Sequence, residues 1–181
     1  VQNIPHPIIG YMGTINSTRL DGELLYQIIS QRPDYSFVFT GPEDDGFRQH
    51  RIHSLKNAYF TGQKKVDELP AYITAYDVCI NPQMVNDITD GNYPLKIDEY
   101  LAMGKPTVAT STHTMRHIFA DHTHLATNPE EWLSAIDRAV TEADDKELAK
   151  QRIAFAETHS WGHSVKKIYG IIDNFLKEKA T

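Results

Sequence analysis

Lys96 and Glu99 stand three residues apart in the segment Tyr93-Pro94-Leu95-Lys96-Ile97-Asp98-Glu99-Tyr100-Leu101-Ala102-Met103-Gly104-Lys105-Pro106. On a helix that spacing puts a cation and a carboxylate on one face. Pro94 suits the first helical position, where its missing N–H costs nothing. Gly104 supplies the stop, and Pro106 bars continuation. A helix start that carries a lysine is a place to hold phosphate. A carboxylate one turn further in can accept two hydrogen bonds from a vicinal diol such as a ribose. Pro94, Leu95, Lys96 and Glu99 together read as a nucleoside-diphosphate site. The plainer reading of Lys96 and Glu99 is an ion pair across one turn, and the sequence leaves both readings open.

The elements that must position this helix alternate strand and helix almost throughout. Strands are predicted at 7–11, 35–40, 57–60, 77–82, 107–110 and 123–126. The β-branched, uncharged run Thr107-Val108-Ala109-Thr110 has the look of a central parallel strand. Helices are predicted at 21–31, 67–76, 94–104, 128–140, 144–158 and 161–176, with a polar loop at 43–54 and a short turn at 114–120. Leu24, Leu25, Ile28 and Ile29 form the buried stripe of the first helix. Trp161 reads as a core anchor, and Asp77 as a helix-to-strand turn residue. The alternation predicts one α/β domain over 1–181, a Rossmann-like parallel sheet with helices on both faces and terminal helices over about 128–178. Ligands of such sheets bind at the carboxyl ends of the strands. Gly13-Thr14, Gly41-Pro42, Gly62-Gln63, the 81–93 loop and Thr110-Ser111 should therefore share one edge. A glycine in the place of Gly13 lets backbone N–H groups approach a phosphate.

A chain of 181 residues with 40% hydrophobic and 23% charged residues is globular in composition. Its net charge of −6 and pI near 5.8 argue against nucleic acid or an anionic membrane as the main partner. No apolar run approaches the roughly 20 residues that span a bilayer. The chain begins at Val1 without a visible signal peptide and reads as a fragment, with membrane contact only through a longer protein. The single cysteine, Cys79, cannot form an internal disulfide, which suits a cytoplasmic setting at or near the inner face of the membrane. Nine histidines, among them His113, His117, His122 and His124, lack the partners of a zinc site, so no metal is expected. There is no Asp-x-Asp, Gly-x-Gly-x-x-Gly, Gly-Lys-Ser/Thr or Gly-x-Ser-x-Gly.

The run Pro-Leu-Lys-x-x-Glu-Tyr-Leu-Ala-x-Gly-Lys-Pro from Pro94 to Pro106 resembles the donor-binding signature of GT-B glycosyltransferases of the retaining, nucleotide-sugar-dependent group. Glu99 falls on the second glutamate of that family's Glu-x7-Glu pair. The first falls on Gly91 and is absent, with Asp90 adjacent. Gly10-Tyr11-Met12-Gly13-Thr14 looks like the family's Gly-Tyr-x-Gly opening, although the Arg and Lys that often follow it are replaced by Thr14 and Asp21. The stretch from Asn57 through Gly62-Gln63-Lys64 to Leu69-Pro70-Ala71-Tyr72 resembles the segment whose backbone faces the base in relatives. The resemblance covers about residues 8–169.

It implies the donor-binding half of a two-domain enzyme whose N-terminal acceptor domain is missing here. That enzyme would move a sugar from a nucleotide diphosphate donor to a carbohydrate or lipid-linked acceptor, as in polysaccharide synthesis, without a cofactor or metal. The catalytic residues so implied are Lys96, against the charge on the leaving diphosphate, and Asp90, orienting the sugar. Gly13, Thr14, Gly62, Gln63, Lys64, Pro94, Leu95, Lys96 and Glu99 would bind the donor nucleotide, with Arg19 as a helper. The alternatives are a related sugar-nucleotide epimerase and a non-catalytic nucleotide-sugar-binding module.

Overall fold

The computed structural model of the chain describes residues 1, 3–87 and 89–179. Its strands are β1 (Ile8–Met12), β2 (Ser36–Thr40), β3 (Ala58–Gly62), β4 (Val78–Asn81), β5 (Thr107–Thr110) and β6 (His124–Ala126). All pair in parallel in one sheet of order β3-β2-β1-β4-β5-β6. The helices are α1 (Gly22–Ser30), α2 (Asp45–Arg48), α3 (Leu69–Ala75), α4 (Leu95–Ala102), α5 (Pro129–Thr141), α6 (Lys146–Glu157) and α7 (Trp161–Lys179). The predicted fold class is the observed one.

Strand alternation divides the core in two. Ile9, Tyr11, Phe37, Phe39, Val78, Ile80 and Val108 face α1 and α5, where Leu25, Ile28, Trp132 and Ile136 close the layer. Ile8, Met12, Val38, Cys79 and Ala109 face the other way, onto Ile73 of α3, Tyr100 and Leu101 of α4 and Ala156 of α6. Both faces of each central strand are thus covered, which is why these strands read as continuous apolar runs. Cys79 is fully buried, and desolvation pushes its thiol far up, so it is inert.

Two polar anchors register the layers. Tyr100 is fully buried, and its hydroxyl accepts from Met12 N at 2.8 Å, which fixes α4 against the end of β1. Lys105 donates to Thr74 O and Tyr76 O at 2.8 and 2.6 Å, placing a cation at the C-terminus of α3. Asp77 is a turn residue as expected: its Oδ2 accepts from Ile8 N and pairs with His6 Nδ1 at the opposite edge of the sheet from the strand ends.

Three expectations change. Trp161 is not a core anchor: it is 85% exposed, and Trp132 fills the core. The apolar side chains of α7, including Ile168, Ile172 and Phe175, are exposed as well. A helical period identifies an apolar face but not what covers it. The 43–54 stretch is ordered, with α2 and a 3₁₀ turn at Arg51–Ser54 burying Phe47 and Ile52. Pro94 precedes the first helical residue rather than occupying it, and Asp98 supplies the acid in the first turn.

Candidate functional site

The strand order reverses between β1 and β4, and that is where such sheets bind ligands. The loops here are held backbone to backbone. Gly13 N donates to Thr40 O, Ile15 N to Pro42 O and Gly41 N to Gly62 O at 2.8–3.1 Å. Asp21 N reaches Pro82 O at 3.0 Å and Met84 N reaches Arg19 O at 2.8 Å, so the loop after β1 is sewn to the loop after β4. Gly13 has φ +132° and Gly41 φ +149°, a region that L side chains avoid. A Cβ on Gly41 would lie 2.0 Å from the Gly13 carbonyl oxygen.

Over this edge opens a cavity of about 440 Å³. Tyr11, Gly13, Thr14, Asn16 and Arg19 line it from the β1 side, and Gln83 from the loop after β4. Asn92, Tyr93, Pro94, Leu95 and Lys96 line it from the start of α4. Among the described residues no side chain caps α4; Ile97 N donates to Pro94 O at 2.8 Å, which leaves the N–H groups of Leu95 and Lys96 for an anion.

Lys96 bridges the two walls. Its Nζ donates to Tyr11 Oη at 2.6 Å, lies 4.1 Å from the centroid of that ring, and stands 2.9 Å from where a Cβ on Gly13 would be. The missing side chain of Gly13 is therefore the space the ammonium needs. Tyr11 Oη donates in turn to Thr14 O at 3.0 Å. Burial pushes the Tyr11 phenol far up, so it stays neutral and accepts from the lysine. Burial also pushes Lys96 down to about 8, with the Arg19 charge adding to this and Glu99 opposing it.

The low Lys96 value has a consequence. Only the protonated amine favours an anion, so diphosphate affinity should hold between pH 7 and 8 and then weaken, by about tenfold per pH unit well above 8. The last ionisation of the diphosphate, with a pKa of about 6, is largely complete over this range, so the change above pH 8 belongs to the protein. Titration calorimetry from pH 7 to 9.5 measures it, and Lys96→Ala should flatten the profile. A wild-type profile that is already flat would show that Lys96 carries no charge to the ligand.

Gly13, Thr14, Pro94, Leu95 and Lys96 are thus brought together, with Arg19 beside them. Glu99 is not on the same cavity. Three residues turn a helix by about 300°, which leaves a 60° offset. Its carboxylate opens with Ala102 toward Ile153 and Trp161, on the α6 side. Among the described residues no ion pair joins Lys96 to Glu99. Burial raises the Glu99 carboxyl, and Lys96 lowers it. Gly62, Gln63 and Lys64 lie at the end of β3, two strands away, with the Lys64 ammonium 5.5 Å from the Tyr72 ring centroid. Asp90 Oδ1 accepts from His113 N at 2.8 Å, pinning its loop to the one after β5. Among the described residues, neither side-chain amide atom of Asn81, buried at the end of β4, has a hydrogen-bond partner.

Tyr11, Asn16, Gln83, Asn92 and Tyr93 are site residues the sequence does not single out. Only Tyr11 carries a signal, a long polar-tipped side chain at the last inward position before Gly13. Among the described residues no cluster of three or more His, Cys, Asp or Glu could hold a metal ion, and no helix is long and apolar enough to cross a membrane.

An open α/β sheet of this order is a Rossmann-like domain, and at its switch point Lys96 and Arg19 line a crevice beside the start of α4. The chain belongs to the glycosyl transferases group 1 family, whose model matches residues 6–142. It is 27% identical over 168 residues to the putative teichuronic acid biosynthesis glycosyltransferase TuaH of Bacillus subtilis, covering 89% of this chain and 42% of that protein. In fold it is similar to sucrose-phosphate synthase from Thermosynechococcus elongatus, with a TM-score of 0.75 at 20% identity over 98% of this chain and 48% of that one. It also matches the Anabaena protein HepE in complex with UDP, with a TM-score of 0.74 at 14% identity over 93% of this chain and 49% of that one. The chain spans less than half the length of these relatives.

Proposed function

We propose that the chain is the donor-binding half of a glycosyltransferase, which holds a nucleoside diphosphate sugar in the crevice between β1 and the start of α4. The carrying observation is the Lys96 ammonium seated over Gly13 at an uncapped helix start. The longer protein would move the sugar to a carbohydrate or lipid-linked acceptor in polysaccharide synthesis, the process named for the Bacillus subtilis relative. UDP is bound by the Anabaena protein of like fold, which supports a nucleoside diphosphate as the ligand here.

In this reading charge builds on the leaving diphosphate, and Lys96, Arg19 and the amides of Thr14 and Leu95 offset it in place of a metal. The family resemblance assigns Glu99 to the ribose and the backbone at Gly62, Gln63 and Lys64 to the base; neither lines the crevice, so in this reading the nucleoside extends out of it over the neighbouring loops. Asp90 keeps one carboxylate oxygen for a sugar hydroxyl while the other holds His113 N.

Titration of UDP, GDP and ADP into the chain tests the reading. One of them should bind, with the same affinity in excess chelator. A loss of more than tenfold on chelation would assign the clamp to a metal. No binding by any of the three would remove the donor site from this crevice.

A further inference from the structure

Tyr93 lines the crevice, yet its hydroxyl points to α4: Tyr93 Oη donates to Asp98 Oδ2 at 2.6 Å. The other carboxylate oxygen, Oδ1, lies 2.8 Å from His159 Nδ1. His159 occupies the turn between α6 and α7, its amide donating to Ala156 O at 3.0 Å. The carboxylate and imidazole are both mostly shielded, at 19% and 23% exposure. Phe119 and His159 pack against the Tyr93 ring, with centroids 5.5 and 6.5 Å away. Burial, with the Asp98 bond adding to it, pushes the Tyr93 phenol up, so it remains a donor.

We propose that Asp98 is a positioning residue, which holds Tyr93 with one oxygen and His159 with the other and so ties a wall of the crevice to the root of α7. The inference rests on the reading of the crevice as the donor site. Asp98 does not line that crevice, so it acts through Tyr93. Two-point attachment sets the ring: with Pro94 next in the chain and Phe119 behind it, loss of the carboxylate frees χ1 and χ2 of Tyr93 at the mouth. Because the second anchor is the turn where α7 begins, a change in the direction of α7 reaches the mouth through three side chains. Asp98 also sits in the first turn of α4, where a negative charge suits the helix dipole.

A double-mutant cycle on nucleotide affinity tests this. UDP and GDP are titrated into the chain, Asp98→Ala, Tyr93→Phe and the double variant. Each single change should weaken the better-bound nucleotide by roughly three- to thirtyfold, and the double variant should lose no more than the weaker single. His159→Phe, at a residue that does not itself line the crevice, should weaken the same nucleotide by a smaller factor. Thermal midpoints are the control. A merely structural Asp98 would lower the midpoint and leave affinity unchanged, or leave the two losses additive, and either result overturns the proposal. Unchanged affinity in His159→Phe overturns the tie to α7. If Asp98→Ala does not fold, Tyr93→Phe decides alone, since it removes one hydroxyl from a ring that is 37% exposed. Absence of nucleotide binding by the unaltered chain overturns the donor-site reading and this inference with it, whereas binding that all variants retain overturns this inference only.

Discussion

Lys96→Ala is expected to weaken binding of a nucleoside diphosphate by roughly 10- to 150-fold, the range of a hydrogen bond to a charged group worth about 1.5–3 kcal/mol. The same change should cost the bare nucleoside little, because in the proposed pose the ammonium at Tyr11 and Gly13 meets the phosphates. Glu99→Gln is the contrasting experiment. It keeps the shape of the side chain but weakens acceptance from the ribose diol, so its loss should persist with the nucleoside. The separation of the two residues onto different cavities sharpens the contrast. Removing Lys96 breaks no ion pair with Glu99 among the described residues, although it takes away the charge that lowers the Glu99 carboxyl. Calorimetric titration of both variants against nucleoside and diphosphate gives four affinities. A Lys96→Ala loss that is equal for nucleoside and diphosphate would place the lysine elsewhere than on the phosphates. Flat affinities in all four would place the ligand outside this edge of the sheet.

What could be read from the sequence follows the range of the interaction. The segment from Pro94 to Thr110 is legible because its punctuation is local. Proline before the helix, glycine and proline after it, and a β-branched run beyond leave little choice of structure. Gly13 is legible for a similar reason, since a glycine after a first strand marks a close approach. Lys96 could be assigned to phosphate from its place in the helix, but its rest position on the Tyr11 phenol could not. That contact joins residues 85 apart in the chain and depends on Tyr100 fixing α4 to Met12 N. Asp98 looks like any solvated acid in a helix first turn, and only folding brings His159 to it. Phe47 and Ile52 are isolated apolar residues in a polar run, too far apart to set a period, so the short helices at 45–54 were unreadable. Trp161 failed for another reason: its size argues for burial wherever a partner exists, and among the described residues none covers it.

Gly41→Ala should be the most damaging single-carbon change at the site, lowering unfolding free energy by about 2–4 kcal/mol. The new Cβ would meet the Gly13 carbonyl oxygen at 2.0 Å, and neither partner is a side chain that can swing away. Something in the backbone must move, and the nearest choice is the turn that makes room for Lys96. Stability and affinity should therefore fall together, with diphosphate binding weakened even at temperatures where the variant remains folded. Gly62→Ala isolates the conformational part of the effect. Its φ of +70° is also left-handed, but a Cβ there meets nothing within 4 Å. It should cost only the strain of that region, about 1–2 kcal/mol, and leave the Gly13 turn in place, so it serves as the stability control. Urea midpoints for the two variants, with diphosphate titrations alongside, separate clash from strain. If Gly41→Ala costs no more than Gly62→Ala and binds diphosphate as the unaltered chain does, then the approach of Gly41 to Gly13 does not hold the phosphate wall in place. The ordering of that wall must then come from the bonds of Gly13 N to Thr40 O and of Ile15 N to Pro42 O alone.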